Sequence, residues 1–186
     1  MHPLVPLLVL LVLAAGVMGA RKASGSTATL MPASPEERKA VLFALQRLNW
    51  PAAEVNKAIT RESGWKPGAM NPTSHAVGLI QFMPFILAKL GFRPDLPAFA
   101  RAEAFSKLMT PRQLPYIVDY FKSLPRDWKV PGDTYVALAG PDGLGKPDSH
   151  VLYPVGSKAW QQNPGLRISP SGPITVGKLR QLGRVS

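Results

Sequence analysis

From Ser34 onward apolar residues recur at i, i+3 and i+4, and nowhere do they alternate with polar ones over the length of a strand. That period places the apolar residues of each segment on one stripe of a helix, so the pattern predicts an all-α fold built from short amphipathic helices. Helix starts are marked as well. Ser34, Pro35 and Glu37 supply an N-cap, a first-turn proline and a capping-box acid, and Val41, Ala44, Leu45 and Leu48 follow as a stripe, which predicts a first helix to about Asn49. Pro51 opens a second helix carrying Val55, Ala58 and Ile59, and Gly64 ends it.

A third helical region is expected over residues 76–90, with Pro84 kinking or splitting it, and a fourth over residues 100–109. Thr110, Pro111 and Gln113 repeat the cap, proline and box pattern ahead of Leu114, Ile117, Val118 and Phe121. A short helix is expected over residues 133–139. Between Gly140 and Pro173 prolines and glycines recur every few residues, which predicts loop or short hairpin, and Thr175 can cap a last helix reaching Gly183.

The 186 residues fit one domain of about 100 to 200 residues with appendages. Leu4 to Ala20 is an uncharged apolar run of 17 residues, which as a helix is roughly 25 Å long and at the short end of what spans a bilayer. It reads as an anchor or a signal peptide. Arg21 and Lys22 follow the run, an order that by the positive-inside tendency leaves the domain cytoplasmic. The expected organisation is a hydrophobic segment at 1–21, a Ser, Thr, Ala and Gly tether at 22–33, a helical domain at 34–140 and a loop-rich C-terminal extension at 141–186.

Composition removes several chemistries. There is no cysteine, so disulfides, thiolate zinc sites and cysteine nucleophiles are excluded. His2, His75 and His150 lack metal-ligand spacing, so no metal and no cofactor is expected. Gly140 to Lys146 has phosphate-loop spacing, but Pro147 follows where a Ser or Thr must reach magnesium. A net charge of +11 favours polyanionic partners, yet the Lys and Arg residues are dispersed rather than clustered with aromatics, so no nucleic-acid partner is expected.

Continuing the second stripe by i+3 and i+4 places Glu62 in a core-facing slot. Burial disfavours the charged carboxylate and raises its pKa, as a general acid near neutral pH requires. On periodicity alone, a carboxylate in the last turn could equally reach solvent or pair with Arg61 or Lys66.

Glu62-Ser63-Gly64-Trp65, then Pro67, Ala69, Asn71-Pro72, Ser74 and Gly78-Leu79-Ile80-Gln81-Phe82-Met83-Pro84, resembles the signature of lytic transglycosylases of the soluble-lytic type, in the goose-lysozyme-like superfamily. The resemblance implies a lysozyme-like helical domain acting on peptidoglycan glycan strands. It implies Glu62 as catalytic acid and base, Ser63 as its orienting neighbour, and Gln81, Met83 and Asn71 along the saccharide groove. A tyrosine near the acid belongs to the family's Ala-Tyr-Asn-Ala-Gly motif, matched here only in part at Ala139-Gly140, and Tyr135 is the nearest candidate. The implied reaction cleaves the MurNAc-GlcNAc β-1,4 bond and leaves a 1,6-anhydro-MurNAc end. Residues 143–175 are similar to the C-terminal part of bacteriophage virion transglycosylases, which implies virion partners, genome entry and a location at the envelope or in a virion, with the membrane reached through the N-terminal segment. A hydrolytic lysozyme and an inactive wall-binding virion protein are the alternatives.

Overall fold

A computed structural model describes residues 30–125 and 130–185. The hydrophobic run Leu4 to Ala20 and the first part of the tether lie outside them. Among the described residues no helix is long and apolar enough to cross a membrane.

The first cap forms as its residues dictate. The Ser34 side chain accepts the Glu37 backbone N–H at 3.2 Å, and the Glu37 carboxylate accepts the Ser34 N–H at 2.8 Å. Helix α1 (Pro35–Gln46) buries Val41 and Leu45 completely. It stops three residues short of the expected Asn49, because Asn49 turns into the left-handed region at φ 64° and redirects the chain toward Pro51. Helix α2 (Ala52–Ser63) packs Val55, Ala58 and Ile59 into the core, each contributing roughly 1 to 3 kcal/mol through apolar burial. Gly64 ends it at φ 60°.

The helix expected over residues 76–90 is a loop followed by a shorter helix. Residues 64–83 cross the domain as a compact loop, cinched by antiparallel bridges from Val77 to Met70 and to Phe82. Helix α3 (Pro84–Lys89) then begins at Pro84 itself. Proline neither kinks nor splits a helix here. It starts one, holding Met83 extended at ψ 140°, since the residue before a proline is pushed out of the helical region.

Helix α4 (Ala98–Ser106) also ends earlier than expected, because Met109 sits at the cap of α5 (Thr110–Ser123). The capping box expected at Thr110 and Gln113 does not form. Gln113 is fully buried, accepts the Leu79 N–H at 3.0 Å and donates to the carbonyls of Pro67 at 2.7 Å and Leu108 at 2.9 Å. The amide satisfies loop backbone in the core, a demand stronger than an exposed helix end. Ile117 and Phe121 fill the α5 stripe, and Phe121 meets Trp50 edge to face at 4.5 Å.

Every residue of helix α6 (Asp133–Ala139) is buried. Beyond it, residues 140–173 hold more structure than their prolines and glycines suggest. Strand β1 (Val151–Tyr153) pairs antiparallel with β2 (Ile174–Thr175). Helix α7 (Lys158–Gln162), unanticipated in the sequence, is capped by Ser157. Helix α8 (Val176–Gly183) is capped by Thr175, whose hydroxyl accepts the Lys178 N–H at 3.3 Å.

Helix α8 lies directly on α6. A Cβ on Gly183 would come within 2.6 Å of the Gly132 carbonyl and 2.7 Å of the Tyr135 Cβ, so only glycine permits this approach. Arg180 seals the contact, donating to Asp133 at 2.7 Å and to Asp148 at 2.6 Å.

Candidate active site

Helix α2 presents Glu62 one turn beyond Ile59, on the stripe that faces the core. The side chain is 9 % exposed, and neither carboxyl oxygen has a hydrogen-bond partner. A buried carboxylate without donors is strongly disfavoured, so burial pushes the Glu62 pKa up from 4.5 to about 8, with the Tyr135 hydroxyl and the Arg61 charge opposing part of that rise. At neutral pH the group therefore holds its proton and can donate it.

Tyr135, on α6, is completely buried, and burial raises its phenol above the ordinary value. Its hydroxyl accepts a hydrogen bond from Arg61 Nε at 2.9 Å, while the guanidinium carbon stands 5.4 Å from the ring centroid. The hydroxyl is near enough to Glu62 to act on its charge, although it meets hydrogen-bond geometry only with Arg61.

Helix α6 is held in place by the other buried acid of α2. Glu54 accepts the Gly132 N–H and the Thr134 hydroxyl, each at 2.8 Å, and so supplies the N-terminal cap that Gly132 cannot. With both oxygens engaged in this cap, Glu54 is not a second catalytic acid. Among the described residues no group of three His, Asp or Glu side chains could hold a metal ion.

The remaining candidates from the sequence fall into three settings. Ser63 is buried behind Glu62 and donates to the carbonyls of Leu79 at 2.9 Å and Ile59 at 3.3 Å, latching the 64–83 loop onto α2. Gln81, in the left-handed region at φ 53°, donates to the carbonyls of Gly78 at 3.0 Å and Ala69 at 3.2 Å. It lines a small recess of about 10 Å³ with Met83, Ile86, Tyr120 and Leu138. Asn71 accepts the N–H groups of Thr73 and Ser74 at 2.9 and 3.0 Å and shapes the loop's outer turn.

A larger cavity of about 380 Å³ lies at the other end of α2, between Trp50, Glu54, Phe121 and Val130. Its one buried acid is the satisfied Glu54, so size and chemistry point to different places, and the unsatisfied carboxyl marks the site. Arg61 is the residue that sequence reasoning misplaces. It is considered there as a partner of Glu62, whereas its hydrogen bond goes to a tyrosine 74 positions away, a link no local pattern carries.

A mostly helical fold that buries one protonated, unpartnered carboxyl at a helix end, faced by a buried phenol, is equipped to pass a proton to a leaving group. Residues 39–101 match the family model described as Transglycosylase SLT domain, about a third of the 186 residues. The match supports the lytic transglycosylase family and indicates action on peptidoglycan; it includes Glu62, Ser63, Asn71, Gln81 and Met83 and stops before Tyr135. The helical architecture is consistent with the all-α, lysozyme-like domain that this match implies. No curated protein and no solved structure matches the chain.

Proposed function

We propose that the chain is a lytic transglycosylase in which Glu62 serves as both acid and base. Protonated Glu62 gives its proton to the glycosidic oxygen between MurNAc and GlcNAc as the C1–O bond breaks, releasing GlcNAc with a free hydroxyl. The carboxylate then takes the proton of the muramic C6 hydroxyl, whose oxygen closes on C1 to form the 1,6-anhydro ring. Glu62 ends protonated, and no water is consumed.

One observation carries this reading: both Glu62 oxygens are buried without partners, within the segment that matches the transglycosylase domain. A glycosidase that uses water ordinarily needs a second carboxylate about 5 to 9.5 Å from the first. Glu54, the other buried acid on α2, is committed to capping α6. An internal nucleophile makes a second acid unnecessary, since the C6 hydroxyl is already held beside C1.

In this reading Gln81 and Met83 line the saccharide groove, Asn71 shapes its outer wall, Ser63 fixes the loop behind the acid and Tyr135 attends the carboxyl. The substrate calls for a chain at the cell envelope, with the Leu4 to Ala20 run as its anchor. The test is mass spectrometry of products released from purified peptidoglycan by the full chain in detergent, beside its Glu62→Gln variant. Anhydro-muropeptides from the wild type alone are expected. Reducing-end products would make the chain a lysozyme, and no products would leave a wall-binding protein.

A further inference from the structure

Arg61 precedes the acid in sequence, yet its side chain bonds the hydroxyl of Tyr135 and lies over that ring. A guanidinium is a donor at every nitrogen and stays charged at any working pH, so the Tyr135 oxygen can only accept from it. A phenol has one hydrogen. With Arg61 occupying a lone pair, that hydrogen is left for another acceptor, and the buried Glu62 carboxyl, which meets no donor in the resting fold, is the group whose charge acts on the phenol.

We propose that Arg61 is a positioning residue for proton transfer: by holding the Tyr135 oxygen as an acceptor, it aims the phenol's hydrogen at the Glu62 carboxyl. The inference rests on the reading of Glu62 as the acid. Its consequence is asymmetric over the reaction. While Glu62 is protonated the phenol adds little, but once the proton has left, Tyr135 donates to the new carboxylate, and the adjacent guanidinium polarises that bond. The pair thus stabilises the ion that burial opposes, in the step where it must exist.

Several charged groups on the elements packed against α2 are engaged elsewhere. Arg38 of α1 stacks on Trp65, Asp133 of α6 and Arg180 of α8 pair with one another, Arg184 just past α8 donates to the Pro131 carbonyl, and Glu54 caps α6. Arg61 and Tyr135 are the groups that act on Glu62.

The test uses the full chain in detergent with carbon-13-labelled glutamate, the Glu62 carboxyl signal being assigned by its loss in Glu62→Gln. In Arg61→Gln the Glu62 titration midpoint should rise above the wild-type value near 8. Its kcat on purified peptidoglycan should fall about tenfold or more, with KM changed less than twofold. Arg61→Lys keeps the charge but not the planar donor, so its midpoint should stay closer to wild type while kcat still falls. Arg61 is exposed at the surface, so thermal melts of both variants should match the wild type. A Glu62 midpoint and kcat in Arg61→Gln indistinguishable from wild type would overturn the proposal. The carboxyl titration needs no turnover, so a chain that releases nothing from the wall would sink the transglycosylase reading while the midpoint still decides whether Arg61 acts on Glu62.

Discussion

The two ends of α2 each bury a glutamate to nearly the same degree, Glu54 at 8 % and Glu62 at 9 % exposure, and their fates are opposite. Glu54 meets two donors at the start of α6 and becomes part of the scaffold. Glu62, two turns on, meets none and is left holding its proton. Burial therefore does not by itself make an acid chemical; the donors around it decide. A satisfied carboxylate is a structural cap, and an unsatisfied one is a proton store.

The comparison breaks most sharply in activity. Glu62→Gln should lower kcat on peptidoglycan by about 10²- to 10⁴-fold, the usual worth of a positioned acid, whereas Glu54→Gln should leave turnover per folded molecule within a few-fold of wild type. Product release from purified wall, normalised to folded protein, measures both.

The next largest effect is on stability against pH. Below pH 4.5 Glu62 is protonated in the folded and the unfolded chain alike, and its burial costs nothing through charge. Between 4.5 and about 8 the unfolded chain ionises while the folded one does not, so stability falls as pH rises, and the full penalty of up to about 5 kcal/mol is reached above 8. Denaturant titrations at pH 5, 7 and 9 should show this loss in the wild type and in Glu54→Gln, and a much flatter dependence in Glu62→Gln. Activity should hold through that window and decline above about pH 8, where the folded acid loses its proton.

Smaller again is the cost of disturbing the cap. Glu54→Gln leaves a donor facing either the Gly132 N–H or the Thr134 hydroxyl, and should destabilise the chain by about 1 to 3 kcal/mol in equilibrium unfolding. The smallest effect on the fold is expected from Tyr135→Phe, which keeps the ring and removes only the hydroxyl. It should lower kcat about tenfold and change stability by less than about 1.5 kcal/mol, because Arg61 is exposed and can turn to water.

The difference between the two glutamates also marks how far the sequence can be read. The capping box at Ser34, the stripe of α2 and the cap at Thr175 are local, and the chain shows them before it folds. Glu62 sits on a stripe that a helical period extends to it. Glu54 is off that reading, because its donors arrive from residues 132 and 134. The same limit explains residues 76–83. Their apolar run is compatible with a buried helix, but Gln113, from a distant helix, satisfies the loop's backbone at Leu79, and Pro84 supplies a start rather than a kink. Gln113 itself imitates a capping box, and only the packing of α5 against the loop reveals its other use. Tyr135 is legible as a candidate from a partial motif, whereas the Arg61 donor that meets it lies on another helix.

Helix α8 gives the close approach at Gly183 a consequence for the order in which the molecule is built. During synthesis α2 and α6 emerge before α8, so a nascent chain can join Glu54 to the start of α6 before α8 is there to cover that helix. The stretch that matches the transglycosylase domain is complete at that stage, yet the contacts that Arg180 and Gly183 make with Asp133 and Tyr135 are still missing. A stop codon within α8 would leave the matched segment untouched and still uncover the helix that carries the phenol.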